Sequence, residues 1–399
     1  MLKGKSVVLG VTGGIAVYKA VDIVSRLRKK GAEINVIMTK NAQQFVSPVT
    51  FQAIANSPVV TDMFDEPKTW DTEHIALAQK ADIFLIAPAT ANIIGKMNNG
   101  VADDMLSTTV MATRAPVVIA PAMNTNMYLN PVVQRNIDGL KALGVEFVDP
   151  ASGRLACGDI GIGKLASPED IVEFVEHVLL RSDELEGKKV LVTAGPTVEN
   201  IDPIRYMTNR SSGKMGYAVA RRAANMGADV TLVSGPTQLT TPVGVKRIDV
   251  CSAEEMADAV KHYAEHEIII CAAAVADYKP AEMAQQKIKK TDDDLRIDLV
   301  RNPDILQGLG KDKTEDQIVV GFAAETTDVK ENAIKKIQKK NLDFIVANDV
   351  SKSGAGFQGD TNVIQIIEKS GTVHDFDLMS KDEAAHQIMK AVVRLMRSE

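Results

Sequence analysis

Gly187-Lys188-Lys189-Val190-Leu191-Val192-Thr193-Ala194-Gly195-Pro196-Thr197 restarts, in mid-chain, the pattern of the opening stretch Gly4-Lys5-Ser6-Val7-Val8-Leu9-Gly10-Val11-Thr12-Gly13-Gly14. Each is a short run of β-branched and aliphatic residues that empties into a glycine turn. The first strand of an open α/β sheet meets its ligand-facing loop in this way. The chain therefore reads as α/β, with two doubly wound, Rossmann-like open sheets in series. Residues 1–180 form the first domain, the charged stretch 181–187 is a linker, and residues 188–399 form the second.

Composition narrows the function classes. A length of 399 residues suggests roughly two to three domains, each able to bury about 70% of its extended surface. With 46 basic against 52 acidic residues the net charge is -6, which argues against a nucleic-acid footprint. Cys157, Cys251 and Cys271 are odd in number and far apart, so no disulfide framework is expected. The first strand starts within a few residues of the N-terminus without a signal-peptide core, and no apolar run approaches a membrane span. A soluble cytoplasmic protein without a membrane partner is expected.

In the first half, strands are expected over 5–11, 33–38, 81–87, 117–120 and 145–148, with helices over 15–30, 132–143 and 168–180. That alternation predicts a parallel sheet with its ligand at the carboxyl ends of the strands. Gly13-Gly14-Ile15-Ala16 would let amides at a helix start face an anion, although such a loop serves equally as a plain turn. Pro88-Ala89-Thr90-Ala91-Asn92 and Pro121-Ala122-Met123-Asn124 carry more amide and hydroxyl groups than a loop requires. His74 sits just inside a helix capped by Asp71 or Thr72, where a histidine is more often a surface residue than a catalyst. Gly153 to Lys164 is glycine-dense and reads as a flap bearing Cys157. An unperturbed thiol, with a pKa of ~8.5, is better equipped to donate a proton than to attack.

In order and spacing, the Gly-Gly-Ile-Ala turn, His74, the Pro88–Asn92 run, the Pro-x-Met-Asn-x-x-Met stretch and the Ala-Cys-Gly flap resemble the flavin-containing cysteine decarboxylases. The whole chain resembles the family of bifunctional coenzyme A biosynthesis proteins, a phosphopantothenoylcysteine decarboxylase fused to a phosphopantothenate–cysteine ligase. The resemblance implies a flavodoxin-like first domain that uses FMN. It makes His74 the base, Asn124 the holder of the substrate carboxylate and Cys157 the acid. Thr12, Gly13, Gly14, Thr39, Ala89, Thr90 and Asn92 become FMN contacts. Two positions depart from the family pattern: Tyr128 stands for tryptophan and Lys164 for arginine, which keeps the charge but not the bidentate fork.

In the second half, strands are expected over 189–193, 229–233, 245–250, 268–271, 318–322 and 344–348, followed by a hairpin over 362–376 and a closing helix over 381–397. The loop Asp202 to Gly216 brings hydroxyls, glycines and cations to a helix start, a good anion receiver. Ala272-Ala273-Ala274 ends a strand without bulk, so a ligand can approach the backbone. Lys287-Ile288-Lys289-Lys290 alternates as an exposed strand would, and Lys335, Lys336, Lys339 and Lys340 read as a solvated helix face.

The ligase resemblance gives these stretches roles. Asn209, with Arg205 nearby, would stabilise an acyl-cytidylate. Cys271, Ala272, Ala273, Asp277, Lys287, Asn302, Pro303, Asp304, Ile305, Phe322, Lys336 and Lys340 would bind CTP, with Lys289 competing for the role of Lys287. The implied partners are 4'-phosphopantothenate, L-cysteine and CTP with Mg2+, for which Asp277 is a candidate ligand. A homo-oligomer is also implied, a dodecamer built from decarboxylase trimers and ligase dimers. Two rivals remain in view. An NAD-dependent oxidoreductase lacks the G-x-G-x-x-G it would need, and a regulatory flavoprotein that binds a partner through the decarboxylase fold would typically lack the flap cysteine.

Overall fold

A computed structural model describes residues 2–64, 72–155, 158–290, 294–325, 329–349, 356 and 358–397. The chain forms two compact units, Met1–Leu180 and Arg181–Glu399. The charged stretch 181–187 is tied into the second. Ser182 and Leu185 donate their N–H groups to the carbonyls of Asn225 and Met226, both at 2.8 Å, and Leu185 is fully buried in that unit's core. Among the described residues no helix is long and apolar enough to cross a membrane.

In the first unit β1 (Ser6–Val11), β2 (Glu33–Met38), β3 (Val59–Val60), β4 (Ile83–Ala89), β5 (Val117–Pro121) and β6 (Glu146–Phe147) form one parallel sheet in the order 3-2-1-4-5-6. β1 and β4 are buried along their whole length, as continuous apolar runs covered on both faces must be. The helix α1 (Val17–Lys29) buries Val17, Ala20, Ile23, Val24 and Leu27, spaced three, three, one and three apart, so its apolar stripe seals one face. β3 has two residues and leaves no periodic signal in the sequence. Removing it leaves the order 2-1-4-5-6, equivalent to that of flavodoxin. β7 (Ala151–Arg154) and β8 (Ile160–Lys164) pair antiparallel, so the expected flap is a hairpin.

The second unit repeats the plan. β9 (Lys189–Ala194), β12 (Asp229–Ser234), β13 (Val245–Asp249), β14 (Ile268–Cys271), β17 (Ile318–Glu325) and β18 (Phe344–Asp349) run parallel in the order 13-12-9-14-17-18. The antiparallel hairpin β20 (Ile364–Glu368) and β21 (Val373–Asp375) extends that sheet. Three short antiparallel pairs lie outside it. These are β10 (Val198–Asn200) with β11 (Tyr206–Thr208), β15 (Tyr278–Pro280) with β16 (Leu299–Arg301), and β19 (Thr361–Asn362) with β22 (Met379–Ser380). Residues 287–290, expected as an exposed strand, form none. Their backbone bonds to side chains of another loop, as described below.

Two packing details carry consequences. Gly310 lies against the Lys340 carbonyl, so close that a Cβ would sit 1.7 Å from that oxygen. Overpacking of this kind costs ~1–3 kcal/mol. In Gly310→Ala, amide exchange protection should fall across β14 and β17 and stay unchanged in β1 and β4; equal protection in all four strands would contradict this packing. His386 is the second detail. Burial, then the charge of Arg222, push its imidazole down to about 4, and its Nδ1 has no hydrogen-bond partner among the described residues. The folded state keeps it neutral, so its contribution is fully present above the ordinary value of ~6.5 and is lost as pH falls toward 4. The second unit's denaturation midpoint should decline over that window, and His386→Gln should flatten the decline.

Candidate active sites

Both sheets reverse their winding between the first and fourth strands, and there the strand ends are left uncovered. In the first unit Thr12 closes this point. Its Oγ1 donates to the Pro88 carbonyl at 2.7 Å and accepts the Thr90 N–H at 3.0 Å, binding the loop after β1 to the loop after β4. A cleft of about 650 Å³ opens above it, lined by Gly13, Gly14, Thr90, Ala122, Met123 and Asn124 together with the hairpin residues Arg154, Leu155, Gly163 and Lys164. The hairpin is held down: Gly163 accepts the Met123 N–H at 2.9 Å, and a Cβ on Gly163 would lie 2.5 Å from the Met123 carbonyl. Asn124 caps the short helix Thr125–Tyr128 with its Oδ1, and its Nδ2 donates to Asp159 of the hairpin loop at 3.3 Å.

The expected FMN contacts divide by position. Gly13, Gly14 and Thr90 line the cleft. Thr12 and Ala89 are buried beneath it, and the Ala89 carbonyl is taken by the Ala122 N–H. Thr39 bonds to the carbonyl of Val11 beyond the cleft wall, and Asn92 is exposed on the helix Ala91–Asn98. The cleft fits a flat aromatic group with an anionic tail. Its floor is glycine, alanine and threonine, and a Cβ added to Gly14 would meet nothing closer than 3.8 Å, so it would project into open space. His74 is half-buried at the second position of the helix Glu73–Lys80 and does not line this cleft. Cys157, with its neighbour Ala156, and Asp71 lie outside the described residues.

Lys19 was not legible as a site residue, yet it lines the cleft with Lys164. Burial, followed by the charge of Lys164, lowers its pKa. The available signal was the wrong sign for the helix dipole: a lysine in the first turn of α1, with no acidic residue there.

In the second unit threonines again stitch the switch point. Thr193 Oγ1 accepts the Ala273 N–H at 3.2 Å, and Thr197 Oγ1 accepts the Ala276 N–H at 3.0 Å. Two pockets adjoin across Ala273, Val275, Asp277 and Phe322. One, of about 580 Å³, holds Cys271, Asn302, Pro303, Asp304, Ile305 and Lys340. The other, of about 340 Å³, holds Asn209, Ser211, Gly213, Lys214, Ala272, Lys336 and Lys381. The structure thus gathers at this point every expected CTP contact except Lys287.

Charge in the larger pocket is organised in advance. Asp304 caps the helix Ile305–Asp312 by accepting the Gln307 N–H at 3.0 Å, and it takes Lys340 Nζ at 2.9 Å. Burial opposes its ionisation, but these two bonds outweigh it and lower its pKa. Asn302 donates to the Ala276 carbonyl at 2.9 Å, which leaves its buried Oδ1 without a partner among the described residues and suited to an amino donor. In the smaller pocket Gly213 adopts φ +79° beside Gly195 at φ +81°; a Cβ on Gly213 would lie 3.3 Å from the Gly195 Cα. Only glycine gives this close crossing without strain. Among the described residues no three His, Cys, Asp or Glu side chains group as a metal site.

Arg205 and Lys287 line neither pocket. The Arg205 guanidinium is taken up by Asp202 and by the Ile288 carbonyl, and Lys287 is exposed.

Residues 1–180 match the model of the Flavoprotein family, and residues 185–396 match that of the DNA/pantothenate metabolism flavoprotein C-terminal domain. The class is thus a flavoprotein half followed by a half of pantothenate metabolism. The chain is 49% identical over 401 residues to the coenzyme A biosynthesis bifunctional protein CoaBC of Bacillus subtilis (strain 168), covering 100% of this chain and 98% of the relative. Its identity to the protein of the same name from Vibrio vulnificus (strain YJ016) is 47% over 398 residues, covering 99% of each. A crystal structure of the C-terminal domain of a coenzyme A biosynthesis bifunctional protein CoaBC is 44% identical and covers 55% of this chain and 100% of that one, with a TM-score of 0.47. The chain belongs to the family of coenzyme A biosynthesis bifunctional proteins, and it is a bifunctional enzyme of that synthesis. The regulatory reading is not favoured.

Cys271 is open to a direct check. Cys271 is half-buried in the wall of the larger pocket, and burial pushes its thiol up to about 12, which keeps it protonated at neutral pH. Iodoacetamide at pH 8 should leave Cys271 unmodified in the native protein and alkylate it in urea, as read by peptide mass spectrometry.

Proposed function

We propose that the second unit joins 4'-phosphopantothenate to L-cysteine at the expense of CTP, and that the first unit decarboxylates the product to 4'-phosphopantetheine. The observation that carries the decarboxylase half is the bond from Asn124 Nδ2 to the carboxylate of Asp159. Oδ1 accepts the Asn126 N–H, so Nδ2 is the group of this amide that meets a carboxylate oxygen. The substrate's carboxylate would occupy that place. Gly13, Gly14 and Thr90 would hold FMN in the cleft, where it would supply the two-electron redox chemistry that makes loss of carbon dioxide feasible.

The chain's own residues would orient the substrate and move its protons. Cys157, carried between β7 and β8, would donate a proton to the enethiol product as a neutral thiol. His74 would act as base from the helix Glu73–Lys80. Because His74 does not line its own chain's cleft, the reading requires a homo-oligomer in which a second copy supplies it. The family resemblance makes that assembly a dodecamer of decarboxylase trimers and ligase dimers, working in the cytoplasm.

In the ligase half the carboxylate of 4'-phosphopantothenate attacks the α-phosphate of CTP and pyrophosphate leaves. The amine of cysteine then attacks the acyl carbon, CMP leaves and the amine's proton passes to solvent or a base. Asn209 would hold the acyl-cytidylate, and Lys336 and Lys340 would offset phosphate charge. Magnesium would enter with the nucleotide, and Asp277, which lines both pockets, would be its carboxylate ligand.

Carbon dioxide release from carboxyl-labelled cysteine, with 4'-phosphopantothenate, magnesium and CTP, tests both steps together. Wild type should release label only with CTP, and Cys157→Ser should lose at least about a hundredfold of that release while still forming pyrophosphate. Absence of pyrophosphate in the wild type would refute the ligase half. Pyrophosphate without label would refute the decarboxylase half.

A further inference from the structure

Besides Lys336 and Lys340, the ligase reading brings one further cation to CTP, Lys287 or its competitor Lys289, yet no strand or helix holds the segment that carries them. What holds it is the peptide between them. The Ile288 N–H donates to Asp202 Oδ2 at 3.2 Å, and the Ile288 carbonyl accepts from Arg205 Nη2 at 2.7 Å. The two gripping side chains are bound to each other, with Arg205 Nε and Nη2 donating to Asp202 Oδ2 at 2.9 and 2.7 Å. Asp202 Oδ1 accepts the N–H groups of Ile204 and Arg205, both at 2.8 Å, and Ala284 donates to the Ile201 carbonyl at 3.0 Å.

This differs from a surface ion pair, which contributes little. The Asp202 side chain is fully buried while that of Arg205 is 44% exposed. Burial works against the carboxylate, but the bonds from Ile204, Arg205 and Ile288 hold it well below the usual range. The Ile288 N–H is a fifth donor to this carboxylate, beside four from the loop itself, and with the bonds from Arg205 to the Ile288 carbonyl and from Ala284 to the Ile201 carbonyl it ties the segment 284–288 to the loop 201–205. Each lysine is one Cα step, ~3.8 Å, from the gripped residue. From the same loop the chain runs through β11 to Asn209 in the smaller pocket.

We propose that Asp202 and Arg205 are a positioning pair for the ligase reaction: by gripping the Ile288 peptide from both sides they set where Lys287 and Lys289 reach, and hence how the nucleotide triphosphate is held. The catalytic consequence rests on the ligase reading; the grip itself rests on geometry. Arginine is required because its fork serves two acceptors at once, Asp202 and the Ile288 carbonyl, which a lysine in its place cannot span.

Native-state trypsin digestion of the full chain separates the two parts. In Arg205→Lys and, independently, Asp202→Asn, cleavage after Lys287 and Lys289 should accelerate about tenfold over wild type, with exchange protection in β9 and β14 retained as proof of folding. The kcat/KM for CTP should fall about tenfold and the KM for cysteine stay within about twofold, with no further fall when Lys287→Ala and Lys289→Ala are added. Unchanged cleavage in both variants overturns the grip. Faster cleavage with unchanged kcat/KM for CTP overturns the positioning role. A wild type that consumes no CTP would sink the ligase reading, and the cleavage comparison would still decide the grip.

Discussion

A hydroxyl at the end of the first strand, bonded to backbone of the fourth, is the interaction on which each half depends. A parallel sheet whose crossovers reverse direction leaves its two central strands with no helix above their carboxyl ends. Those ends carry polar backbone groups that must find partners. Thr12 satisfies the Pro88 carbonyl and the Thr90 N–H; Thr193 and Thr197 satisfy the N–H groups of Ala273 and Ala276. The loops are thereby held at a fixed separation, and glycine and alanine around them leave room for a ligand to approach the backbone.

From this shared frame the two halves diverge by what is laid across the opening. In the first unit it is the β7–β8 hairpin, fastened through Gly163 to Met123 and through Asp159 to Asn124. That brings Arg154, Leu155, Gly163 and Lys164 to the wall of an apolar cleft. In the second it is a set of lysines, Lys214, Lys336, Lys340 and Lys381, which suits phosphate chemistry. One architecture thus supports two reactions, as expected when function resides in the loops and not in the sheet.

The positions of individual residues temper a reading based on motif alone. Ala89 belongs to a conspicuous run yet is fully buried, so any contribution it makes passes through its backbone. Arg205 is drawn to Asp202 and away from the pockets, because a fully buried carboxylate is a stronger demand than an open cleft. Lys19, by contrast, belongs to no conspicuous motif and reaches the cleft because α1 begins where the glycine loop ends.

The amino-acid sequence by itself determined the two-sheet plan, since unbroken apolar runs alternating with amphipathic helices admit few other arrangements. Strands such as Ile268–Cys271 and helices such as Pro168–Leu180 follow from local periodicity almost to the residue. It also marked the loops that matter, through glycine, alanine, amide and hydroxyl residues where bulk would serve a core better. Tertiary structure decided the rest. β3 and the small antiparallel pairs are too short to carry a period, and Lys287 to Lys290 alternates like a strand but pairs with no strand among the described residues. Whether a cation faces a phosphate or a carboxylate depends on contacts more than 80 residues apart in the chain, as between Arg205 and Ile288. Such contacts form only when the fold brings distant segments together, and no local pattern encodes them.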